Sequence, residues 1–254
     1  MKSVKQLFVL LFVVTLTFNL TYAQDDQPKM FIVHTDNVNF DMMQQYEEMS
    51  QKMKAMFVKH NVQDMSWTTV SIEDGRYVHV SPIENMADLD KNPMAAVFEK
   101  EGDEVQKMFE KMDECYDSHS NSIVHYVSDL SYNPEGYSTK DMNDREYHFL
   151  YYSPKNGKAI QEAMKKVKAL FTEKGVKNGY SVFHSGFGSE ESYYMVSVAG
   201  KDAVHIAMTG KENDEALGDE RKAVFFNLIQ LTSRYDQVNG QIRPDLSYYP
   251  KTEE

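Results

Sequence analysis

Asp129-Leu130-Ser131-Tyr132, followed by Pro134, occurs a second time as Asp245-Leu246-Ser247-Tyr248, followed by Pro250. The two stretches lie 116 positions apart (129 to 245) in a chain of 254 residues, so each falls near the end of one half. A sequence that repeats itself at a fixed long spacing indicates a structural unit that occurs twice. This pair therefore decides how the rest of the chain is interpreted.

Two further matches extend the repeat. Lys54-Ala55-Met56-Phe57 aligns with Lys168-Ala169-Leu170-Phe171, and Tyr77-Val78-His79-Val80-Ser81 aligns with Tyr193-Tyr194-Met195-Val196-Ser197. The apolar positions of one helix also coincide in the two halves, with the spacing of a single helix face. They are Tyr46, Met49, Met53, Met56 and Phe57 in the first half, and Ile160, Ala163, Val167, Leu170 and Phe171 in the second.

The hydrophobic periodicity predicts the same order of elements twice. The first half is predicted to contain a strand at 29–35, a helix at 39–60, strands at 65–73 and 76–83, a helical region at 86–118 and a strand at 122–131. The second half is predicted to contain a strand at 146–152, a helix at 154–174, strands at 179–187 and 192–199, a helical region at 201–237 and a strand at 240–248. We therefore divide the chain into a leader (1–23), a first repeat (24–134), a linker (135–145) and a second repeat (146–254).

The order β-α-β-β-α-β is that of a ferredoxin-like unit, which places helices on one face of its sheet. The other face should then alternate apolar and polar residues, yet Phe31, Ile32 and Val33 are consecutive. Both faces of each sheet are therefore predicted to be covered, and the other half is the simplest cover. The predicted fold class is α+β, with two tandem ferredoxin-like repeats packed sheet to sheet as an intramolecular barrel.

This arrangement resembles the dimeric α+β barrel superfamily, whose members usually pair two identical ferredoxin-like chains. The resemblance covers residues 29–250 and rests on element order and duplication. It implies a cavity between the sheets. The superfamily includes cofactor-free quinol monooxygenases, haem-degrading enzymes and muconolactone isomerases. Because no catalytic motif of these enzymes is matched, no catalytic residue is carried over and the cofactor stays unknown.

The first 23 residues have the pattern of a secretory signal peptide. Lys2 and Lys5 precede an apolar stretch from Leu7 to Leu20, and Thr21-Tyr22-Ala23 has small residues where a signal peptidase requires them. A membrane anchor is the alternative, but the stretch is short for a bilayer span of about 20 residues. We therefore predict export to the periplasm or the extracellular space.

The composition excludes several classes of protein. The net charge of −12 argues against binding to the phosphate backbone of nucleic acids. A single cysteine excludes a disulfide framework within the chain. No segment after the leader is apolar enough to span a membrane. The predicted assembly is a monomer with pseudo-dimeric halves, or a dimer.

Histidines and a single tryptophan supply the candidate ligand-binding residues. Five histidines fall on predicted strands, and several imidazoles that face one cavity can bind a ligand or exchange protons near neutral pH. A structural role for each is the alternative. The candidates are His34, Trp67, His79, His125, His148 and His184. No zinc-binding spacing is present, so no metal site is predicted.

Other residues are better explained by packing. Trp67 aligns with Ser181, and this difference in size either shapes an asymmetric pocket or reflects a core ring. The methionines of the first half include Met42-Met43, the one cluster that could bind copper(I), although most lie on the core stripe. Cys115 lies on an apolar helix face and is predicted to be a buried small hydrophobe.

Three functions remain open from the sequence. The first is binding of a small apolar or aromatic ligand in the cavity between the two sheets, since strands with two covered faces carry many aromatic residues and histidines. The second is a cofactor-independent monooxygenase-like activity, which only the resemblance implies. The third is a protein-interaction module, which would combine a filled barrel with an exposed apolar patch. Whether the protein is an enzyme is left undecided.

Overall fold

Residues 30–251, which are the residues described in the computed structural model, form eight strands that close into a barrel. The strands are β1 (Met30–Val38), β2 (Thr68–Ile72), β3 (Arg76–Ile83), β4 (Tyr116–Tyr126), β5 (Asp144–Tyr151), β6 (Ser181–Ser185), β7 (Tyr193–Gly200) and β8 (Arg234–Ile242). The helices are α1 (Met43–His60), α2 (Ala95–Glu101), α3 (Asp103–Asp113), α4 (Gly157–Glu173), α5 (Ala203–Leu217) and α6 (Glu220–Ile229).

The order of the strands divides the barrel between the two halves of the chain. Every pair of neighbours is antiparallel, and the order around the barrel is β1-β3-β2-β8-β5-β7-β6-β4. The first half therefore contributes β4-β1-β3-β2 and the second half contributes β8-β5-β7-β6. Two seams join the halves, one between β2 and β8 and the other between β4 and β6. Each sheet meets the other through its edge strands, so the barrel has no free edge.

Helices cover the outside of the barrel and create one apolar core in each half. In the first half, Tyr46 and Phe57 of α1 are fully buried against strand residues such as Tyr77. In the second half, Ile160 and Phe171 of α4 are buried in the same way. The predicted apolar stripe therefore faces the sheet in both helices, although Met53 and Met56 are only partly buried.

The last strand of each half lies earlier in the chain than predicted. A strand was expected at 122–131 and another at 240–248, whereas β4 ends at Tyr126 and β8 ends at Ile242. The predictions failed because Asp-Leu-Ser-Tyr is apolar enough to continue a strand but forms a turn instead. In that turn the backbone N–H of Leu130 donates to Val127, and that of Leu246 donates to Arg243.

The repeated motif fastens the two seams. The hydroxyl of Ser131 accepts the backbone N–H of Val182 at 2.8 Å, and the hydroxyl of Ser247 accepts that of Thr69 at 2.9 Å. Each serine thus extends a ladder of hydrogen bonds past the end of its strand, from one half of the chain to the other.

A lysine secures each of these turns. Lys168 donates to the carbonyls of Ser128 and Asp129, and Lys54 donates to those of Pro244 and Asp245. The sequence repeat therefore retains the residues that close the barrel.

The strand register corrects two of the sequence alignments. Tyr77 lies opposite Asp36 and Tyr194 lies opposite Leu150, so Tyr77 corresponds to Tyr194 rather than Tyr193. Below, "counterparts" are residues that occupy the same register position in the two halves. By the same comparison His79 corresponds to Val196, not to Met195.

The counterpart of Trp67 is also different from the predicted one. Trp67 forms a bridge with Tyr248, and Tyr180 forms the matching bridge with Tyr132. The counterpart of Trp67 is therefore Tyr180 rather than Ser181. Both positions carry a large buried ring, so the predicted asymmetry in size is absent.

The predicted leader, residues 1–23, lies outside the described residues. Among residues 30–251, none of the helices has the length and hydropathy that crossing a bilayer requires. The predicted linker, 135–145, overlaps the start of β5, which begins at Asp144.

Candidate functional site

All five histidines that were predicted on strands lie on the surface of the barrel that faces the helices. Side chains alternate between the two faces of a strand, so contact with a helix fixes the face of each residue. His79 contacts Tyr46 of α1, and His34 lies directly opposite His79. His184 bonds Tyr152 in the second-half core, and His125 lies opposite His184.

The expectation that these histidines line a cavity between the two sheets is therefore wrong. Aromatic side chains are among those on the inner face of the barrel instead. Phe31 packs against Phe183 across the β4 strand, and Phe149 packs against Tyr193.

Trp67 belongs to the first-half core rather than to a binding cavity. Its side chain is buried between Phe57 and Tyr248, and its indole N–H donates to the carbonyl of Leu246 at 2.9 Å. The alternative that it is a core ring with its N–H paired is the one that the structure supports.

The first half contains a chain of polar side chains beneath its helices, here called the first-half network. The phenol of Tyr46 donates to Oδ2 of Asp36 at 2.5 Å and lies 2.8 Å from Nε2 of His79. Because the hydroxyl hydrogen points to Asp36, the phenol oxygen accepts from His79. At the surface end, Nδ1 of His34 lies 2.9 Å from Oδ1 of Asn121.

Burial and hydrogen bonding fix the charges in this network. Burial lowers the pKa of His79 to about 4, so its ring is neutral at pH 7. Burial alone would raise the pKa of Asp36, but contacts from His34 and Tyr46 outweigh it and hold the pKa below the ordinary value. The contact with Asp36 raises the pKa of His34. The network therefore holds one buried carboxylate close to the surface.

The second half has a cavity in the corresponding layer, between its sheet and its helices. This second-half cavity has a volume of about 260 Å³. Its apolar wall includes Phe171 of α4, Val198 of β7, Leu217 of α5 and Phe225 of α6. Such a site, mostly apolar with a few polar groups, is typical of pockets for small ligands.

Two histidines are among the polar residues that line that cavity. His148 lies with Nδ1 2.6 Å from the hydroxyl of Tyr235 and Nε2 2.9 Å from Oε1 of Glu146. Burial lowers the pKa of His148, which opposes the effect of Glu146. Nδ1 of His205 is buried and has no hydrogen-bond partner among the described residues. A ligand hydroxyl group, which can donate or accept, would satisfy that nitrogen in either tautomer of the ring.

A second, more open depression crosses the β2–β8 seam and has a volume of about 450 Å³. Of its charged side chains, Arg243 pairs with Glu47 and also with the neighbouring Asp245. These contacts raise the pKa of Arg243 and lower that of Glu47. The pair of Arg243 with Glu47 links the second half of the chain to the first at this seam.

Sequence reasoning found His34, His79 and His148 but missed the residues that surround them. Asp36, Asn121 and Glu146 are ordinary polar residues on strands, and no local motif distinguishes them. The available signal was the alternation along β1, which puts Asp36 on the face of His34. Tyr46 was identified only as an apolar helix position.

The remaining candidates have structural surroundings. Cys115 is buried, its thiol donates to the carbonyl of Lys111, and burial raises its pKa, as expected for an unreactive small hydrophobe. Met42 and Met43 pack against the first-half core, which favours the packing explanation over a copper site.

Comparisons with known proteins support the fold. An anthrone oxidase-like protein superposes with a TM-score of 0.58 at 10% identity, over 86% of this chain and 92% of that one. A candidate monooxygenase from Lactobacillus acidophilus superposes with a TM-score of 0.53 at 9% identity, over 85% of this chain and 94% of that one. A candidate monooxygenase from Fusobacterium nucleatum superposes with a TM-score of 0.52 at 11% identity, over 85% of this chain and 93% of that one. The chain has the dimeric α+β barrel fold.

At these identities the likeness concerns the fold alone. No protein-family model and no curated sequence matches the chain. The dimeric α+β barrel fold explains why helices cover only the outside of the barrel. Any assignment of function must therefore come from the residues of the first-half network and the second-half cavity.

Proposed function

We propose that the protein binds a small aromatic ligand in the second-half cavity. The observation that carries this proposal is the combination of apolar walls with the unpartnered Nδ1 of His205. Leaving a buried polar atom without a partner costs about 1–3 kcal/mol, and a ligand that donates to it recovers this cost. The ligand class agrees with the sequence-based hypothesis, whereas the cavity lies between sheet and helices rather than between two sheets.

The size and lining of the cavity define the ligand further. Phe171 and Phe225 offer ring faces and edges, against which a planar ring packs favourably. Asn178 and Thr209 add polar groups at the wall. We therefore infer a hydroxylated aromatic compound, whose ring contacts the phenylalanines and whose hydroxyl donates to His205.

A pair of probes tests this inference by calorimetry. We expect 1-naphthol to bind and naphthalene, which lacks the hydroxyl group, to bind at least about tenfold more weakly, because only the first can satisfy Nδ1 of His205. Val198→Phe, which places a ring in the cavity, should abolish binding of both.

The matched control lies in the other half. Ser81→Phe changes the counterpart of Val198 and should leave the affinity for 1-naphthol unchanged. Equal affinity for the two probes, or unchanged binding by the Val198→Phe protein when it is folded, would contradict the proposal.

An enzymatic role is the second candidate, and the pair formed by His148 and Glu146 favours it. If a ligand hydroxyl replaces the hydroxyl of Tyr235 at Nδ1 of His148, the imidazole held beside Glu146 can accept its proton, which is general base catalysis. Three fold neighbours are named as an anthrone oxidase-like protein and two candidate monooxygenases, so oxidation is the reaction class to test first.

Oxygen consumption in the presence of anthrone tests this second role. An active protein should consume oxygen above the background rate, and His148→Ala should remove that activity without preventing 1-naphthol from binding. Background oxygen uptake combined with tight 1-naphthol binding would leave a binding protein and exclude oxidation of anthrone.

We also propose that the two halves are tandem ferredoxin-like repeats that substitute for the two chains of a dimer, and that the protein is exported with cleavage after Ala23. The same strand order in each half supports the first proposal. The leader sequence supports the second. Native mass spectrometry of the secreted protein tests both, since it should report a monomer that begins at Gln24.

A further inference from the structure

We propose that His34, Asp36 and His119 bind a divalent transition-metal ion at the surface end of the first-half network. Each residue offers one ligand atom, and the three atoms lie within 4.8 Å of one another. Two imidazole nitrogens and one carboxylate oxygen are a ligand set that suits Zn²⁺ and Fe²⁺ and leaves further positions open to water. The site lies in the other half from the second-half cavity and does not depend on the function proposed there.

The strands bring the three residues together from distant parts of the sequence. Asp36 and His34 lie on the same face of β1, and His119 lies opposite Asp36 on β4. The ring centroids of His34 and His119 are 5.4 Å apart. His119 is exposed, so its ring can turn toward an ion without disturbing the core.

Asp36 is the first observation that points to a ligand rather than to packing. The residue is only 2% exposed, and its Oδ1 lies 2.9 Å from Nε2 of His34 but receives no hydrogen bond of acceptable geometry from the described residues. Its other oxygen, Oδ2, already accepts from Tyr46. A buried carboxylate oxygen without a donor is costly, and a bound cation would compensate it.

The orientation of His34 is the second observation. Oδ1 of Asn121 is an acceptor, so the Nδ1 atom of His34 that contacts it carries the hydrogen. In the neutral ring Nε2 then carries a lone pair, and this atom lies 2.9 Å from Oδ1 of Asp36. Two lone pairs at that distance need a cation between them or a second proton on the imidazole.

The supporting contacts are those found around bound metals. A metal-binding histidine usually donates its other N–H to a fixed acceptor, and ligating carboxylates are themselves hydrogen-bonded. Asn121 serves His34 in this way, and Tyr46 serves Asp36.

The second half shows that the fold does not require these polar residues. The counterparts of Asp36 and His119 are Leu150 and Tyr235, while the counterpart of His34 is His148. An apolar residue is buried where the first half buries a charge. The buried carboxylate therefore depends on groups particular to the first half: Tyr46 donates to Oδ2, and an ion held by the two histidines would serve Oδ1.

Titration with Zn²⁺ and Co²⁺ tests the proposal on the purified protein. We expect Zn²⁺ to bind with a stoichiometry of one by calorimetry and to raise the melting temperature, because a ligand of the native state stabilises it. Co²⁺ should give visible absorption of a low-symmetry site with nitrogen and oxygen ligands, and Zn²⁺ should displace it.

Variants then locate the ion. His34→Ala and His119→Ala should abolish Zn²⁺ binding, and Asn121→Ala should weaken it about 10- to 100-fold through loss of the supporting contact. His119 is exposed, so its variant is expected to fold normally. His148→Ala, at the counterpart of His34, is the matched control and should bind Zn²⁺ as the unchanged protein does.

Two outcomes would overturn the proposal. One is Zn²⁺ binding that survives both His34→Ala and His119→Ala, which would place the ion elsewhere on this acidic protein. The other is no binding, together with an NMR spectrum that shows both nitrogens of His34 protonated at neutral pH. The second proton on His34 would then compensate the charge of Asp36 in place of the metal ion.

Discussion

Where the first half of the barrel buries the carboxylate of Asp36, the second half buries the side chain of Leu150. The same contrast applies to Tyr46 and Ile160 on the helices, and to His79 and Val196 on the neighbouring strand. Strand order and seam contacts agree in the two halves, so the fold tolerates either set. Packing at these positions therefore requires only apolar volume. The polar residues Asp36, Tyr46 and His79 must serve another purpose.

Each half has also kept a histidine at one shared position, His34 in the first and His148 in the second. Each contacts a carboxylate through Nε2, but Asp36 lies two residues after His34, whereas Glu146 lies two residues before His148. The first half fills the space below with a hydrogen-bonded network, and the second half leaves a cavity. One fold thus presents two chemically different sites, and exchanging residues between them tests what each arrangement contributes.

The largest effect should come from placing the buried carboxylate in the wrong half. Leu150→Asp introduces a charge where Ile160 stands in place of the donor Tyr46 and where His148 is already paired with Glu146, so the free energy of unfolding should fall by about 4 kcal/mol or more. Urea unfolding followed by circular dichroism measures this. The reciprocal double variant Asp36→Leu, Tyr46→Phe removes both partners and should cost far less. Similar losses for the two exchanges would contradict the contrast between the halves.

The second effect concerns pH and the buried His79. Its pKa is about 4 in the folded protein and near 6.5 when unfolded, so the unfolded chain binds more protons between these values. The free energy of unfolding should therefore decrease as the pH falls from about 6.5 to about 4, with a contribution of about 3 kcal/mol from this residue.

His79→Val, which introduces the residue of the second half, should remove that contribution and flatten the acid limb of the stability curve. His34 has a raised pKa and acts in the opposite direction, but it is present in both proteins. The difference between the two curves therefore isolates His79. Parallel curves between pH 4 and pH 6.5 would show that the ring accepts a proton in the folded state as easily as in the unfolded state.

A smaller loss is expected from removing one hydroxyl group. Tyr46→Phe deprives Asp36 of its donor and His79 of its acceptor, which should lower the free energy of unfolding by about 2 kcal/mol. Tyr194→Phe is the comparison in the second half, because the hydroxyl of Tyr194 makes no hydrogen bond with the described residues. Its change should stay within about 0.5 kcal/mol. Equal losses would mean that the phenol of Tyr46 adds only packing.

The sequence permitted prediction of the barrel but not of the sites, for a physical reason. Apolar periodicity and the repeat depend on local spacing, and they located the helices and the order of the strands. The sites depend on which face of a strand points to the helices, and that is decided by contacts such as His79 with Tyr46. The alignment of Tyr77 slipped by one residue, and a slip of one residue exchanges the two faces of a strand.

The metal ligands illustrate the same limit. His34 and His119 are far apart in sequence and become neighbours only through the pairing of β1 with β4, so no ligand spacing could reveal them. The repeated motif Asp-Leu-Ser-Tyr led to the prediction of an α+β barrel, but its hydrogen bonds across the seams were not predicted. Its serine lies past the end of a strand, where hydrophobic pattern gives no information about side-chain hydrogen bonds.

The smallest effect tests the part of the molecule in which the halves agree. Ser131→Ala and Ser247→Ala each remove the acceptor of one backbone N–H across a seam, and each should cost about 1 kcal/mol. The two seams lie at different edges of the sheets, so the double variant should lose the sum of the two. Urea midpoints of the three variants give these values. If both seams serve only to close the barrel, the two losses must be equal and neither change should affect binding of Zn²⁺ or 1-naphthol. A loss confined to one serine would show that the halves differ at the seams as well as at the sites.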